Sequence, residues 1–451
     1  MSPSFSVHSN RILITILLTA IGNGQGLIAR QHWSKSYLRS VSLSASSPLH
    51  IVLDSSQYLH RDIRYHPECP ERIEHCLSAI RGIFSSVDGL GTTEENKRTV
   101  HVDDVASIPS ASRNECCVEG NTFYQEFSSP LTADEFSYAE SVLSSIHAPE
   151  YVSSLKNKCE SSRQRRIDEG KDPLGWIGYI DGSDTFLTTE SYNVGVRAAG
   201  AWIRTVNSAL GIDIDVCDAK ARDTPTASDK PIGVALTRPP GHHAMYSVAN
   251  GFCLFNFAMA AAYHAIRRHR NIKISILDWD VHFGQGIMHI LEKCSTEESK
   301  GSDWDWTSSI RYVSLHQVPC FPFEGQTRKV QGRNKNVLTL PIQPDSTWHC
   351  GYREMFTKYA LPFISTSSEW EPDLVIVSAG YDALDSDELA SVNLVATDYG
   401  EMTKIFLHHI DESASTKPAL IFGLEGGYQL REGVAGGNLS NALINTLVSL
   451  D

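Results

Sequence analysis

The sequence predicts an α/β fold organised around a mainly parallel sheet, and three observations carry that prediction. From residue 231 onward, short apolar runs rich in β-branched residues alternate with longer segments of helical spacing, the pattern of strands joined by crossover helices. Four of these runs empty into loops carrying His, Asp or Tyr, and in open α/β sheets ligands bind beyond the carboxyl ends of the strands. A chain of 451 residues, with 41% hydrophobic and 20% charged residues, can bury such a core without disulfides.

The elements follow in order. Leu49–Leu53 reads as the first strand and enters a loop at Asp54. A helix is expected from Pro70 and Glu71, because proline is tolerated in a first turn and an acid is favourable there. Residues 91–137 are polar and read as an irregular insertion or surface excursion. Residues 134–143 and 150–158 read as helices, 161–172 as a charged loop whose Arg163, Arg165 and Arg166 form a solvated face, and 190–210 as a helix. Strands are expected at Ile232–Leu236, 272–277, 310–315, 374–377 and Ala419–Leu424, with 251–268 the clearest helix between them. No internal repeat of 20–50 residues is evident, so residues 49–451 read as one domain.

Residues 1–48 are set apart. The first 53 residues contain no Asp or Glu, carry Arg11, Arg30, Lys35 and Arg39 among many serines, and include an apolar run at 12–21 broken by Gly22, Gly24 and Gly26. That run is too short to span a bilayer. The composition predicts a targeting presequence for a plastid or mitochondrion, with a disordered leader in a cytoplasmic or nuclear protein as the alternative. A net charge of −14 and a pI near 5.7 argue against a surface built to neutralise phosphates, so no direct nucleic-acid binding is expected. The ten cysteines contain no Cys-x-x-Cys pair, which argues against a thiolate zinc site.

The chemistry is expected at four strand ends. In Asp278-Trp279-Asp280-Val281-His282 a period of two places Asp278, Asp280 and His282 on one side and Trp279 and Val281 on the other. Two carboxylates beside an imidazole repel unless a cation sits among them, and zinc accepts both donor types. Asp382, after Ser378-Ala379-Gly380-Tyr381, could add a carboxylate, although Asp after a strand is more often a helix cap. Pro239-Pro240-Gly241 presents His242 and His243 in a stiffened turn, and one of them is a candidate general base. Tyr428, after Glu425-Gly426-Gly427, could donate its hydroxyl to an oxyanion, although a packed tyrosine is the default reading of that segment alone.

These residues resemble the histone deacetylase family, most closely its second-class and bacterial-like branches. The resemblance runs through YHPECPERI, IHAPEYVSSL, IDGSDTFLTTESYNVGVRAAGA, LTRPPGHHA, GFCLFNFAMAAA, ILDWDVHFGQG, YVSLHQ, EPDLVIVSAGYDA and FGLEGGY, and covers nearly everything after residue 49. It implies a three-layer α/β/α sandwich around an eight-stranded, mainly parallel sheet of the arginase-deacetylase type. It also implies one catalytic zinc ion held by Asp280, His282 and Asp382. His243 matches the general base, His242 its partner imidazole, Asp278 the orienting acid, and Tyr428 the residue that polarises the substrate carbonyl. Phe252 and Phe321, with Gly251, match the walls of a narrow acyl-lysine tunnel, and Leu389 matches its rim. A structural potassium ion near Asp278, Asp280, His282 and Ser314 is implied as well.

Two positions depart from the family pattern. Phe283 stands where a second His is common, and strand parity predicts altered packing there rather than loss of metal. Gln285 stands where Asn or Asp usually holds the general-base imidazole; it can still accept that bond but is one methylene longer. The function expected is removal of acyl groups from Nε-acyl-lysine in proteins. Hydrolysis of small acetylated amines such as polyamines is the alternative, and a weakened acyl-lysine binding module a third reading. A two-metal arginase site would need an acid at Gly284, so one metal is expected.

Overall fold

A computed structural model describes residues 49–87, 124–180, 183–212, 231–297, 305–366 and 369–450. All of them fall in one compact unit, Ser44–Asp451. The expected leader at 1–48 and most of the expected insertion at 91–137 lie outside the described residues.

Among the described residues the sheet has nine strands in the order β2-β1-β5-β11-β10-β6-β7-β9-β8. They are β1 (Leu49–Leu53), β2 (Tyr124–Phe127), β5 (Ile232–Leu236), β6 (Ile274–Asp278), β7 (Ile310–Gln317), β8 (Lys329–Gln331), β9 (Val337–Ile342), β10 (Leu374–Ala379) and β11 (Ala419–Leu424). Eight of them run parallel, and β8 pairs antiparallel at the β9 edge. The expected eight-stranded parallel sheet is therefore present, extended by one short edge strand. A two-stranded antiparallel hairpin, β3 (Trp176–Tyr179) and β4 (Phe186–Thr188), lies apart from it.

Continuous apolar runs follow from burial on both faces. Val375, Val377, Leu420 and Phe422 enter one core with the helices Glu71–Val87, Ala396–Ser413 and Leu439–Leu447. Leu374, Ile376, Ala419 and Ile421 enter the other with Ala133–Ile146, Pro149–Asp168, Ser191–Leu210 and Phe257–Arg268. The result is the three-layer α/β/α arrangement.

Several expected boundaries are corrected. The charged segment at 161–172 is not a loop to its start, because the helix from Pro149 continues to Asp168 through Arg163, Arg165 and Arg166. Periodicity could not show this: a nearly all-polar face leaves no apolar stripe to follow. The helix expected from residue 251 begins at Phe257, where Asn256 caps it by accepting from the Met259 amide. Residues 251–256 instead form a turn in which Gly251 and Phe252 adopt left-handed backbone angles of +51° and +67°. Within the polar stretch read as irregular, Tyr124–Phe127 forms an edge strand beside β1.

Two buried histidines join separate elements and are held neutral by burial. His147 accepts from the Asn256 amide at Nε2 (3.0 Å) and meets the Met245 carbonyl at Nδ1 (2.9 Å), so Nδ1 carries the single proton. His264 sits between the Tyr138 hydroxyl (2.8 Å) and the Asn207 side-chain oxygen (2.7 Å). Burial lowers their pKa values, to about 4 for His147 and about 3 for His264, where nearby Arg268 adds to the effect. A depressed folded-state pKa gives stability that is complete above the unfolded value near 6.5 and lost as pH falls through the folded value. The unfolding temperature is therefore expected to fall between pH 6.5 and 4. In His264→Asn the fall should be shallower, although the variant is less stable at pH 7; an identical slope in a thermal-melt series would contradict this.

Candidate active site

β6 ends at Asp278, and the residues beyond it keep the alternation read from the sequence. Trp279 and Val281 enter the hydrophobic core, while Asp280 and His282 turn to Asp382 at the end of β10. His282 Nδ1 lies 3.0 Å from Asp382 Oδ2 and 3.3 Å from Asp280 Oδ1. One ligand atom from each of these three buried residues lies within 4.8 Å of the other two. The carboxylates are fixed from behind: Val281 N donates to Asp382 Oδ1 (2.9 Å) and Gly426 N to Asp280 Oδ2 (2.7 Å). A side chain at Gly380 would run into Asp280, and one at Gly426 into both carboxylates, so backbone packs directly against the cluster. Two carboxylates and an imidazole converging in a buried cradle fit a zinc ion held by three protein ligands. Burial opposes protonation of His282, but Asp382 and Asp280 outweigh it and raise its pKa well above the usual range; a cation bound there would replace that proton.

The His pair arrives from the loop after β5. Arg238, fully buried, anchors that loop by donating to Glu68 through Nε (2.6 Å) and Nη2 (2.5 Å) and to the Gln57 and His60 carbonyls through Nη1 (both 2.6 Å). His242 Nδ1 meets Asp278 Oδ2 at 3.1 Å, and the Tyr312 hydroxyl approaches the same oxygen at 2.9 Å. His243 Nδ1 lies 2.7 Å from Gln285 Oε1. An amide oxygen only accepts, so Nδ1 carries the proton and Nε2 keeps a free lone pair. The two imidazoles, 4.0 Å apart between ring centres, are driven in opposite directions. Burial, with His242 and His282 adding to it, holds His243 well below its usual pKa. Burial acts in the same sense on His242, but Asp280 and Asp278 overcome it and raise its pKa to about 10. Of the two, His243 is therefore the neutral imidazole able to accept a proton, and His242 the charged one.

Tyr428 stands on the turn after β11. The Arg72 guanidinium lies 4.7 Å over its ring, Phe252 meets it edge-on at 5.6 Å, and its amide donates to Asp387 Oδ2 at 2.7 Å. Burial pushes its hydroxyl pKa well above 10, so it stays a hydrogen-bond donor at neutral pH. Phe252 is held by its amide on Thr185 Oγ1 (3.0 Å) and by the His66 ring at 4.7 Å. Phe321 packs edge-on against His243 at 4.9 Å, and Gly251 leaves room for both, since a Cβ there would meet the His243 ring and Phe321.

The other expected residues lie further out. Leu389 is half-buried, with its amide on Asp387 Oδ1 (3.1 Å), and its neighbour Glu388 is exposed and paired with Arg431 at 3.7 Å. Ser314 stands opposite Asp278 in the β6–β7 register, but its hydroxyl bonds His316 Nδ1 at 3.0 Å. Phe283 is buried against His316, 4.6 Å between rings. A Cβ at Gly284 would strike Asp278 and the Tyr312 hydroxyl, so an acid for a second metal has no room there.

Five residues outside the sequence reading support this site: Glu425, Asp387, Arg72, Glu68 and Thr185. Glu425 had a signal, because an acid directly after the apolar run of β11 must either reach water or find buried donors. Thr185 had none, since it depends on the β3–β4 hairpin.

The chain is similar to known proteins along most of its length. Residues 66–438 match the family described as "Histone deacetylase domain". The chain is 30% identical over 400 residues to the uncharacterized protein slr0245 of Synechocystis, covering 88% of this chain and 98% of that one. It is 32% identical over 361 residues to "Histone deacetylase 14, chloroplastic" of Arabidopsis thaliana (78% and 74% covered). It is 29% identical over 308 residues to "Polyamine deacetylase HDAC10" of Homo sapiens, covering 66% of this chain but 39% of that protein. The crystal structure of the HDA15 HD domain superposes with a TM-score of 0.59 at 22% identity, covering 89% of both chains, which supports the same fold.

The backbone cradle makes a prediction. Gly426→Ala should weaken zinc uptake by about 100-fold, the upper end of what disturbing the support of a metal ligand costs. Equilibrium dialysis against buffered zinc measures this, and uptake equal to wild type would show that the cradle is not tight.

Proposed function

The chain belongs to the histone deacetylase family, and on that premise we propose that it is a zinc-dependent amidohydrolase that removes acetyl or other acyl groups from Nε-acyl-lysine in proteins. The observation that carries this reading is the convergence of Asp280, His282 and Asp382 within 4.8 Å, with His243 and Tyr428 delivered to the same strand edge. Zinc held by those three residues would supply Lewis acidity to the acyl carbonyl and lower the pKa of the attacking water.

The chain's own groups do the rest. His243, neutral and with Nδ1–H committed to Gln285, accepts the proton of the attacking water at Nε2. Tyr428 donates its hydroxyl to the carbonyl oxygen as negative charge develops there. The proton taken up by His243 passes to the departing amine, while His242, bonded to Asp278, keeps the neighbouring positive charge in place. Phe252 and Phe321 wall the approach with rings and exclude water from the reacting amide.

The rim favours acyl-lysine. Leu389 is apolar, and the carboxylate beside it, Glu388, is already paired with Arg431. Deacetylation of polyamines is the second reading, favoured by the likeness to the human polyamine deacetylase. We also assign residues 49–451 to the catalytic domain and 1–48 to a plastid-directing leader. The acid-free composition of that segment and the chloroplastic designation of the Arabidopsis relative support this.

Zinc analysis of the purified chain is expected to give one ion per molecule, with hydrolysis of acetyl-lysine peptides lost on chelation and restored by zinc. Tyr428→Phe and His243→Ala should each lower kcat by about 10²- to 10³-fold. Faster turnover of acetylspermidine than of acetyl-lysine peptides would reverse the substrate order. Absence of bound metal, or full activity in both variants, would overturn the proposal.

A further inference from the structure

Glu425 is fully buried at the edge where the chemistry sits, yet the reaction gives it no role. A buried carboxylate persists only where donors replace its water. Its Oε2 accepts from the amides of Gly241 (2.6 Å) and His242 (3.1 Å), and Oε1 accepts from the Ser378 hydroxyl (3.3 Å). Its own amide donates to the Ala379 carbonyl (3.1 Å), and its carbonyl accepts from Arg72. The next peptide N–H, from Gly426, holds Asp280. Pro239 and Pro240 carry no N–H, so the Gly241 and His242 amides are the first donors with which the loop after β5 can be fastened beyond Arg238. Both are fastened to this one oxygen.

Building on the deacetylase reading, we propose that Glu425 is a positioning residue that sets the distance between the His242–His243 pair and the Asp280–His282–Asp382 cluster. It does so as a hydrogen-bond acceptor. One carboxylate grips the two amides leading into His243, while the peptide that follows grips Asp280, so base and ligand are referenced to a single point of the backbone. Displacement of a reacting group by 1 Å costs on the order of 100-fold in rate.

A glutamine distinguishes position from charge. In Glu425→Gln the side-chain oxygen still accepts both amides and the NH₂ group can donate to Ser378, but the negative charge is gone. Holoenzyme of wild type, Glu425→Gln and Glu425→Ala is compared by zinc content, kcat and KM on an acetyl-lysine peptide, and crystal structure. The expected result is kcat within about 5-fold of wild type for Glu425→Gln. Glu425→Ala should show kcat reduced about 100-fold, with KM and zinc content little changed and residues 241–243 displaced from His282. The proposal is overturned if Glu425→Ala keeps kcat within about 3-fold, if residues 241–243 do not move, or if folded, zinc-loaded Glu425→Gln loses as much as the alanine variant. Should Glu425→Ala fail to fold, the glutamine variant alone decides. If wild type itself hydrolyses no acyl-lysine peptide, the deacetylase reading fails, while the crystallographic comparison still tests the positioning role.

Discussion

Asp278, Asp280, Asp382 and Glu425 are all fully buried at the carboxyl edge of three adjacent strands, and the compensation of that charge organises the whole site. Carboxylates this close cannot all ionise in a water-poor interior unless each is matched by donors or a cation. Glu425 is matched by two backbone amides and a serine hydroxyl, and Asp278 by His242 and Tyr312. Asp280 accepts the amides of Gly426 and His282, Asp382 accepts that of Val281, and the two share His282 Nδ1 in front. One oxygen from each of this last pair lies within 4.8 Å of the other and of a His282 ring nitrogen. Among the described residues, convergence of donor atoms, rather than the mere presence of buried acids, sets this pair apart from Asp278 and Glu425.

The same constraint explains the neighbouring glycines. Backbone N–H groups can serve as donors only if the peptide comes within about 3 Å of the carboxylate, and a Cβ would block that approach. Gly426 and Gly380 stand where a side chain would enter the carboxylates, and Gly284 where it would enter Asp278. Of these, Gly426 donates its amide to a carboxylate, while Gly380 and Gly284 let the backbone pass close against Asp280 and Asp278. They also show why its charge is closed to extension: the absence of a side chain that lets Gly284 pass beneath His242 also leaves no space for a further acid.

How far the sequence revealed this varied with the kind of signal. The central strands were readable because burial on both faces makes them continuous apolar runs, and their polar exits stood out against that background. The alternation through 278–282 was also readable and survives although the chain bends at 280–282 beyond the end of β6. The β3–β4 hairpin was not: Trp176–Tyr179 and Phe186–Thr188 are too short to show a period, and the hairpin stands outside the main sheet. The helix through Arg166 was hidden by its polarity, and the Gly251–Phe252 turn by its resemblance to the helix that follows. Among site residues, Asp278, Asp280, His282, Asp382 and the His242–His243 pair were legible from their places after apolar runs, whereas the buried charges Glu425, Asp387, Arg72 and Glu68 were not read. Leu389 and Ser314 rested on resemblance alone, and the structure gives Ser314 a partner, His316, that spacing did not suggest.

Gln285 takes its meaning from the charge count as well. An acid at that position would add a fifth buried negative charge beside His243 and strengthen that imidazole as a base. The cost would be one more carboxylate to satisfy, in a site where burial already pushes Glu425 up to about 7 and Asp387 likewise. A neutral amide keeps the one feature the mechanism needs, an acceptor 2.7 Å from Nδ1 that fixes the tautomer, and leaves the net charge of the cluster unchanged. Its length is accommodated because Gln285 opens the helix Gln285–Glu297, whose second residue, Gly286, passes directly against the carbonyls of His242 and Ala244. From there its Oε1 reaches His243 Nδ1 at 2.7 Å, so a neutral amide supplies the orientation. Orientation is what the geometry of His243 requires.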